Sequence, residues 1–502
     1  VNTNARAADE AFIREPEDIF VDMYLRQFYD PSLAQASYLI GCQATGDAIV
    51  IDPLRDVDAY ITVAQAEGLR ISYVTETHIH ADFVSGSREL AARSGATLCL
   101  SAEGGADWQY AFAEHDGAHL LRDGDRIAVG NINLDVMHTP GHTPEHLSFV
   151  VTDTPSGVGP IGVVTGDFVF VGDVGRPDLL EKAAHVADTM EASARTLFAS
   201  LARFRTLPDH LQVWPGHGAG SACGKALGAI PSSTVGYEKL ANWGVIERDE
   251  DAFVRVVLDG QPDPPRYFAE MKRINREGPV VLGSMPIPRA LPASDVIDSA
   301  RDGGWLIDLR DAPAFGAAFV PGALSIPFTR SFSTWAGWLV PYDVEVTLLV
   351  PDAGSTHVGG AELAERAARE LVMIGLDRVR GWCSSDGAIA AWVAQGTSAA
   401  VIPQVDVAAL ADGLARESLH ALDVRAESEW SAGHLTGVTN VPLGHLMTST
   451  SALPESPIVV HCQSGARSAI AASVLYRLGH RDVRNLTGGY QAWVRAGFAV
   501  ER

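Results

Sequence analysis

Residues 78–83 read His-Ile-His-Ala-Asp-Phe and follow the apolar run Ile71–Thr75. That run has the pattern of a short strand, which makes the hexapeptide its exit loop. His78 and His80 are one residue apart, and Asp82 lies two further on. Imidazole and carboxylate donors so closely spaced at a strand end have the spacing of metal ligands. The sixth position is Phe83, which carries no donor atom.

Working outward, the same punctuation recurs. Short strands are predicted over Ile19–Phe28, Ser37–Ile40 and Ala48–Ile51, with turns at Asp30-Pro31 and Gly46-Asp47. Helices are predicted over Val57–Ala66, Ser87–Ser94 and Asp188–Ala202. Further strands cover Thr97–Leu100, Arg126–Val129, Asn133–Met137, Leu147–Thr152, Gly162–Asp167 and Gln212–Trp214. His142, Asp167 and His217 each stand at a strand end. Strand runs followed by helices, twice over, predict two sheets with helices outside.

Composition narrows the function. The 502 residues are enough for two to four domains, and 47% are hydrophobic, enough for ordinary cores. A formal net charge of -24 excludes the basic stripe that nucleic acid or an anionic membrane surface requires. Five cysteines (Cys42, Cys99, Cys223, Cys383, Cys462) show no paired spacing, which fits a reducing compartment. No apolar run approaches a membrane span and no leader pattern is visible, so a cytoplasmic location is expected.

The ordered set His78, His80, Asp82, His142, Asp167 and His217 resembles the metallo-β-lactamase superfamily over residues 15–245. Its HxHxDH motif stands here as HIHADF. In two-metal members the last position supplies an imidazole to the second metal. With Phe83 there, the chain is similar to the mononuclear persulfide dioxygenase branch. That resemblance implies one Fe(II) per chain held by His78, His142 and Asp167, a two-histidine, one-carboxylate set with open positions. It implies that His80, Asp82 and His217 orient ligands and substrate, that a low-molecular-weight persulfide and dioxygen are the substrates, and that sulfite plus thiol are the products. Arg176, in Gly175-Arg176-Pro177-Asp178, either holds an anionic group of glutathione or coenzyme A or pairs locally with Asp178. Cys223 either relays sulfur or packs.

Residues 259–292 hold seven prolines and have linker composition, with a short helix at Tyr267–Asn275. Beyond them lies an internal repeat. Asp308-Leu309-Arg310 recurs as Asp423-Val424-Arg425, and Phe315, Gly322 and Pro327 match Trp430, Gly437 and Pro442 at one constant offset. The units are too long for a solenoid and read as a duplicated α/β domain. In the second copy the strand Ile458–His461 runs into Cys462-Gln-Ser-Gly-Ala-Arg467-Ser468 and then a helix. A cysteine ahead of a helix N-terminus sits in a nest of N–H groups that stabilises a thiolate. This loop resembles the rhodanese active site, which implies Cys462 as the sulfur carrier and Arg467 as its fixed positive charge. In the first copy Pro351 and Thr356 align with Cys462 and Arg467, and a catalytically inactive domain is expected. Cys383 is expected on a later loop.

The predicted architecture is α/β throughout. An N-terminal αββα metallo-β-lactamase-type sandwich (1–250) precedes a linker (251–289), an inactive rhodanese-like domain (290–398) and an active one (403–502), the latter two with central parallel sheets. The resemblance implies a homo-oligomer (dimer or tetramer) and thiosulfate as product or sulfur source. Two alternatives are a zinc thioester hydrolase of the glyoxalase II type with a rhodanese tail, and a sulfur-carrier or scaffold protein.

Overall fold

The computed structural model describes residues 23–502 apart from 158, 180–188, 219–220, 222, 224–229, 262, 353–357, 450–452 and 454–456. Two six-stranded sheets face each other. The first runs, in spatial order, through Met23–Asp30, Gln35–Cys42, Asp47–Ile51, Arg70–Thr75, Thr97–Ser101 and His119–Leu121. The second runs through Ser233–Thr234, Gln212–Pro215, Pro160–Gly166, Leu147–Asp153, Ile132–His138 and Arg126–Val129.

Period-two alternation decides which residue enters which layer. Tyr38, Ile40, Ile49 and Ile51 point into the core between the sheets, where Leu134, Phe149, Val164 and Trp214 meet them. Their neighbours Leu39, Ala48 and Val50 point outward, onto a cluster with Tyr60 of helix Asp58–Ala66 and Leu90 of helix Ser87–Ser94. On the other side Val163 and Val213 pack on Leu197 and Leu201 of helix Met190–Phe204. The order is therefore helices, sheet, sheet, helices. Strand Met23–Asp30 covers the described part of the run expected at Ile19–Phe28, and the start of the helix expected from Asp188 likewise lies outside the described residues. At one edge the sheets are stitched together where the Ala36 N–H donates to the Gly216 carbonyl (2.7 Å), beside His217.

Residues 251–289 are not an extended linker. Helix Glu250–Leu258 buries Phe253, Val254 and Val257 against the second sheet's helices, and Asp249 caps it by accepting from the Ala252 N–H. Helix Phe268–Glu277 then lies across the HIHADF loop, where the Asn275 amide donates to the carbonyls of His80 (2.8 Å) and Phe83 (2.7 Å). The short helix expected at Tyr267–Asn275 is thus present as Phe268–Glu277, while helix Glu250–Leu258, ahead of the prolines, was not expected.

Two parallel sheets follow, with one strand order. The first is Leu324–Ser325, Trp305–Asp308, Val346–Val350, Val379–Ser384. The second is Thr439–Asn440, His420–Asp423, Ile458–His461, Val483–Leu486, Gln404–Val405. The repeated Asp-x-Arg has one job in both. Arg310 bonds Asp308 (Nε–Oδ1 3.0 Å) and the Ala318 carbonyl eight residues on (2.9 Å). Arg425 bonds Asp423 (Nε–Oδ2 2.9 Å) and the Gly433 carbonyl, also eight on (2.8 Å). Each clamp ties a strand end to the far end of the following helix.

The strand pairing corrects two positions in the first copy. The Leu309 N–H donates to the Leu349 carbonyl just as the Val424 N–H donates to that of His461. Cys462 therefore corresponds to Val350, not Pro351, because the strand Val346–Val350 carries one residue more. Thr356, expected opposite Arg467, lies outside the described residues. Cys383 is not on a loop: it sits inside strand Val379–Ser384, opposite Leu349, and is buried in the core.

The first copy also docks on the sandwich. The Val84 N–H donates to the Met373 carbonyl (2.8 Å). The buried Arg55 guanidinium pairs with Asp377 and donates to the Val372 carbonyl (3.0 Å). Among the described residues no helix is long and apolar enough to cross a membrane.

Candidate metal centre and sulfur-transfer loop

The strand ends converge as their positions in the sequence predict. His78 leaves strand Arg70–Thr75, His142 follows strand Ile132–His138, Asp167 follows Pro160–Gly166, and His217 follows Gln212–Pro215. One donor atom each from His78, His142 and Asp167 lies within 4.8 Å of the others, and all three residues are buried. Asp167 Oδ2 is 3.5 Å from His142 Nε2, 4.0 Å from His78 Nε2 and 3.3 Å from His217 Nε2. His217 Nε2 is also 3.3 Å from Asp82 Oδ2.

The imidazoles are held from behind. His78 Nδ1 is 2.9 Å from Thr77 Oγ1, which itself donates to Asp52 Oδ2 (2.9 Å), so Nδ1–H donates to the hydroxyl. His142 Nδ1 donates to the Arg176 carbonyl (3.1 Å) and His217 Nδ1 to that of Ala34 (3.0 Å). With Nδ1 the donor in His78 and His142, their Nε2 atoms offer lone pairs to the centre, whereas burial of His217 is overridden by Asp167, Cys223 and Asp82, which hold it well above the ordinary histidine range and favour its protonated form. Burial alone would raise the Asp167 carboxyl, but His217, His78 and His142 around it hold it well below the usual carboxylate range. Burial keeps His78 and His142 low, hence neutral. Ionised carboxylate and neutral imidazoles are the protonation states that a cation requires. Among the described residues, both Asp167 oxygens, Asp82 Oδ2 and His217 Nε2 are buried without a hydrogen-bond partner, a cost that a bound cation would remove. The residues present therefore fit a metal ion.

The space is tight as well as polar. Gly166 takes φ +49°, and a Cβ there would fall 2.5 Å from Thr77 Oγ1 and 2.9 Å from His146 Nε2. His80 turns away from the cluster toward Asp52 (Nε2–Oδ1 3.0 Å). Phe83, fully buried, packs on the His80 ring at 4.4 Å and joins Leu54 and Met373 in an apolar cluster. The place of a second-metal imidazole is thus filled by packing against the first repeat.

Arg176 is not available to a substrate. It is fully buried and grips Asp178 through two bonds (3.0 and 2.7 Å), the local pair that was one of its two readings. Its contribution to the centre is its carbonyl. Cys223 is brought in beside Asp82 and His217, one donor atom of each lying within 4.8 Å of the others. Burial pushes its thiol up to about 12, against the pull of His217.

Several supporting residues escaped the sequence reading. Asp52, directly after the strand expected at Ala48–Ile51, accepts from the Thr77 N–H, the Thr77 hydroxyl and His80 at once, and holds φ +54° to do so. Its signal was a carboxylate before proline at a strand end. His146, four residues after His142, accepts the Asp167 N–H (3.1 Å) and stacks on His78.

The second centre is the loop after strand Ile458–His461. Cys462 Sγ accepts from the Gly465 N–H (3.2 Å) and the Ser468 hydroxyl (3.6 Å). Gly465 takes φ +111° to aim its N–H at the sulfur. The Tyr490 and Gln491 N–H groups pin the carbonyls of Cys462 and Gln463 (2.8 and 3.0 Å). Arg467 forks onto Glu429 (2.6 and 2.8 Å), and that pairing holds the Glu429 carboxyl below its ordinary range. Glu429 was not singled out by sequence; its signal was its place four residues after Arg425.

His461, directly before Cys462, is buried and neutral: burial, offset by Asp423, brings it down from 6.5 to about 4. A histidine whose folded pKa is depressed contributes stability above its unfolded pKa, which is lost as pH falls through the folded one. Between pH 6.5 and 4 the wild type is expected to lose about 3 kcal/mol through this group. His461→Gln should flatten that part of the pH dependence in urea unfolding of the full chain. An unchanged slope would show that His461 does not titrate this way.

With this geometry in view, comparison with known proteins is specific. The description "Metallo-beta-lactamase superfamily" matches residues 31–217 and "Rhodanese-like domain" matches residues 406–496. The persulfide dioxygenase ETHE1 of Homo sapiens is 30% identical over 200 residues, 38% of this chain and 67% of that protein. The chain belongs to the metallo-β-lactamase superfamily. It also carries a C-terminal rhodanese-like domain. Another superfamily structure, a metallo-β-lactamase from Staphylococcus aureus, is 41% identical with a TM-score of 0.63, covering 72% of this chain and 99% of its own. A β-lactamase hydrolase-like protein of Xylella fastidiosa is 27% identical over 52% of this chain, which spans 61% of that relative's length.

Proposed function

We propose that the chain is a persulfide dioxygenase joined to a thiosulfate sulfurtransferase. The observation that carries the first half is the buried His78–His142–Asp167 cluster with both carboxylate oxygens unpartnered. Similarity to persulfide dioxygenases and the rhodanese-like domain support enzymatic action on small sulfur compounds.

In this reading His78, His142 and Asp167 hold one ferrous ion. Bound there, the ion supplies the one-electron redox chemistry that lets dioxygen react with a persulfide, which zinc lacks. One persulfide, one dioxygen and one water give one thiol, one sulfite and two protons. Thr77, Arg176 and Ala34 fix the imidazoles, and His146 fixes the Asp167 loop. Asp82 and His217 face the same space and are placed to hold a proton. Phe83 and the first repeat exclude water from that side. At the second centre Gly465 and Ser468 stabilise the Cys462 thiolate, which carries a sulfane sulfur between sulfite or thiosulfate and a thiol. The divisions that serve these roles are 1–250, an inactive repeat at 290–398 and an active one at 403–502.

The test is oxygen uptake by anaerobically purified protein with glutathione persulfide, alongside metal analysis. About one iron per chain and stoichiometric sulfite are expected. Two zinc ions per chain and thioester hydrolysis without oxygen uptake would establish the hydrolase instead.

A further inference from the structure

The repeat without a cysteine at the matching strand end faces Arg467, the last charged residue of the Cys462 loop, across a cavity. A cavity of about 460 Å³ lies between the two repeats. Arg467, Glu427 and His445 line it on the active side. Trp335 and Trp338, one helical turn apart on helix Phe332–Leu339 of the inactive repeat, line the opposite side. Asp263, from the segment after helix Glu250–Leu258, closes a third side. Trp338 is locked in place: its indole lies so close over Gly444 that a Cβ there would fall 2.4 Å from it, and its ring meets His445 at 5.5 Å. Three parts of the chain thus enclose a space that the Cys462 loop alone could not form.

The chemistry of the walls selects an occupant. The Arg467 charge is already met by Glu429 through both nitrogens, so the carboxylates of Asp263 and Glu427 set the sign of what remains. Indoles beside carboxylates favour an alkylammonium group over a carboxylate on the acceptor thiol. The geometry points to this cavity as the site of the thiol that accepts sulfur from Cys462, and to that acceptor as a low-molecular-weight thiol bearing a primary amine. This rests on the reading of Cys462 as the sulfur carrier. In the transfer the acceptor thiolate attacks the outer sulfur of the Cys462 persulfide. The S–S bond breaks, its electron pair stays on Cys462 Sγ, and the acceptor leaves as the new persulfide. Gly465 and Ser468 receive the thiolate so formed.

The experiment uses the full chain, thiosulfate as donor, and cysteamine, 3-mercaptopropionate and cyanide as acceptors. The wild type is expected to show a KM for cysteamine about tenfold below that for 3-mercaptopropionate. Trp335→Ala and Asp263→Asn should each raise the ratio of the cysteamine KM to the cyanide KM about tenfold while kcat with cysteamine holds. Trp335→Phe, which keeps an aromatic face, should recover most of the ratio. A ratio unmoved in all variants, or equal KM values for the amine and the acid, overturns the inference. Absence of transfer to cyanide in the wild type, or transfer that survives Cys462→Ser, refutes the underlying reading of Cys462 instead.

Discussion

Asp167→Asn is expected to abolish iron binding and oxygen uptake while leaving the fold and thiosulfate:cyanide transfer in place. Asparagine keeps the shape of a side chain wedged against Gly216, where a Cβ would fall 2.6 Å from Asp167 Oδ1. It removes the one negative charge that His78, His142 and His217 share. Changes behind a ligand cost roughly 10–100-fold in metal affinity, so loss of the carboxylate ligand itself should cost at least about 100-fold. A second readout is thermal. Added iron at about 1,000 times the wild-type dissociation constant should stabilise the wild type by about 4 kcal/mol and the variant by no more than about 1.4 kcal/mol. Oxygen uptake that persists in Asp167→Asn would mean that the ion is held elsewhere.

The second large effect is at the other end of the chain. Cys462→Ser should remove sulfur transfer from thiosulfate to any acceptor and leave oxygen uptake with a supplied persulfide unchanged. The Gly465 N–H and Ser468 hydroxyl that face the sulfur would still face an oxygen, but a serine hydroxyl forms no persulfide. A single-turnover assay with sulfur-35 thiosulfate should label the wild type on one cysteine and the variant on none. Loss of both activities together would show that the two centres are not independent.

The sandwich was legible because each of its signals is local. Alternation in Tyr38–Ile40 and Ala48–Ile51 assigns residues to the inner or outer face without knowledge of the partner sheet. Histidine or aspartate after strands Arg70–Thr75, Ile132–His138, Pro160–Gly166 and Gln212–Pro215 forms a cluster because those strands end at the same side of the sandwich. What stayed hidden depends on contacts across the chain. Asp52 is 25 residues from Thr77, and nothing near it in sequence says that it orients His78 through that hydroxyl. Arg176 had two readings in sequence, an anion holder or a local partner of Asp178, and only its burial and its bonds to Asp178 in the fold favour the second. The alignment of Pro351 with Cys462 failed by one residue because strand length, unlike the Asp-x-Arg spacing, differs between the copies. Helix Glu250–Leu258 was masked by the prolines that follow it.

The paired arginine clamps bear on how such a chain could have arisen. In each copy the staple of Asp, Arg and a distant carbonyl lies ahead of the loop where the nucleophile stands or would stand. Framework and reagent are therefore separable after duplication. The copy with Val350 at that strand end keeps its sheet and its clamp, and its outer surface is left open to change toward whatever its neighbour's cavity requires. The copy beside the cysteine-bearing one is then a ready source of new specificity, reached by changing cavity-lining residues such as Trp335 and Trp338 that the clamp does not use.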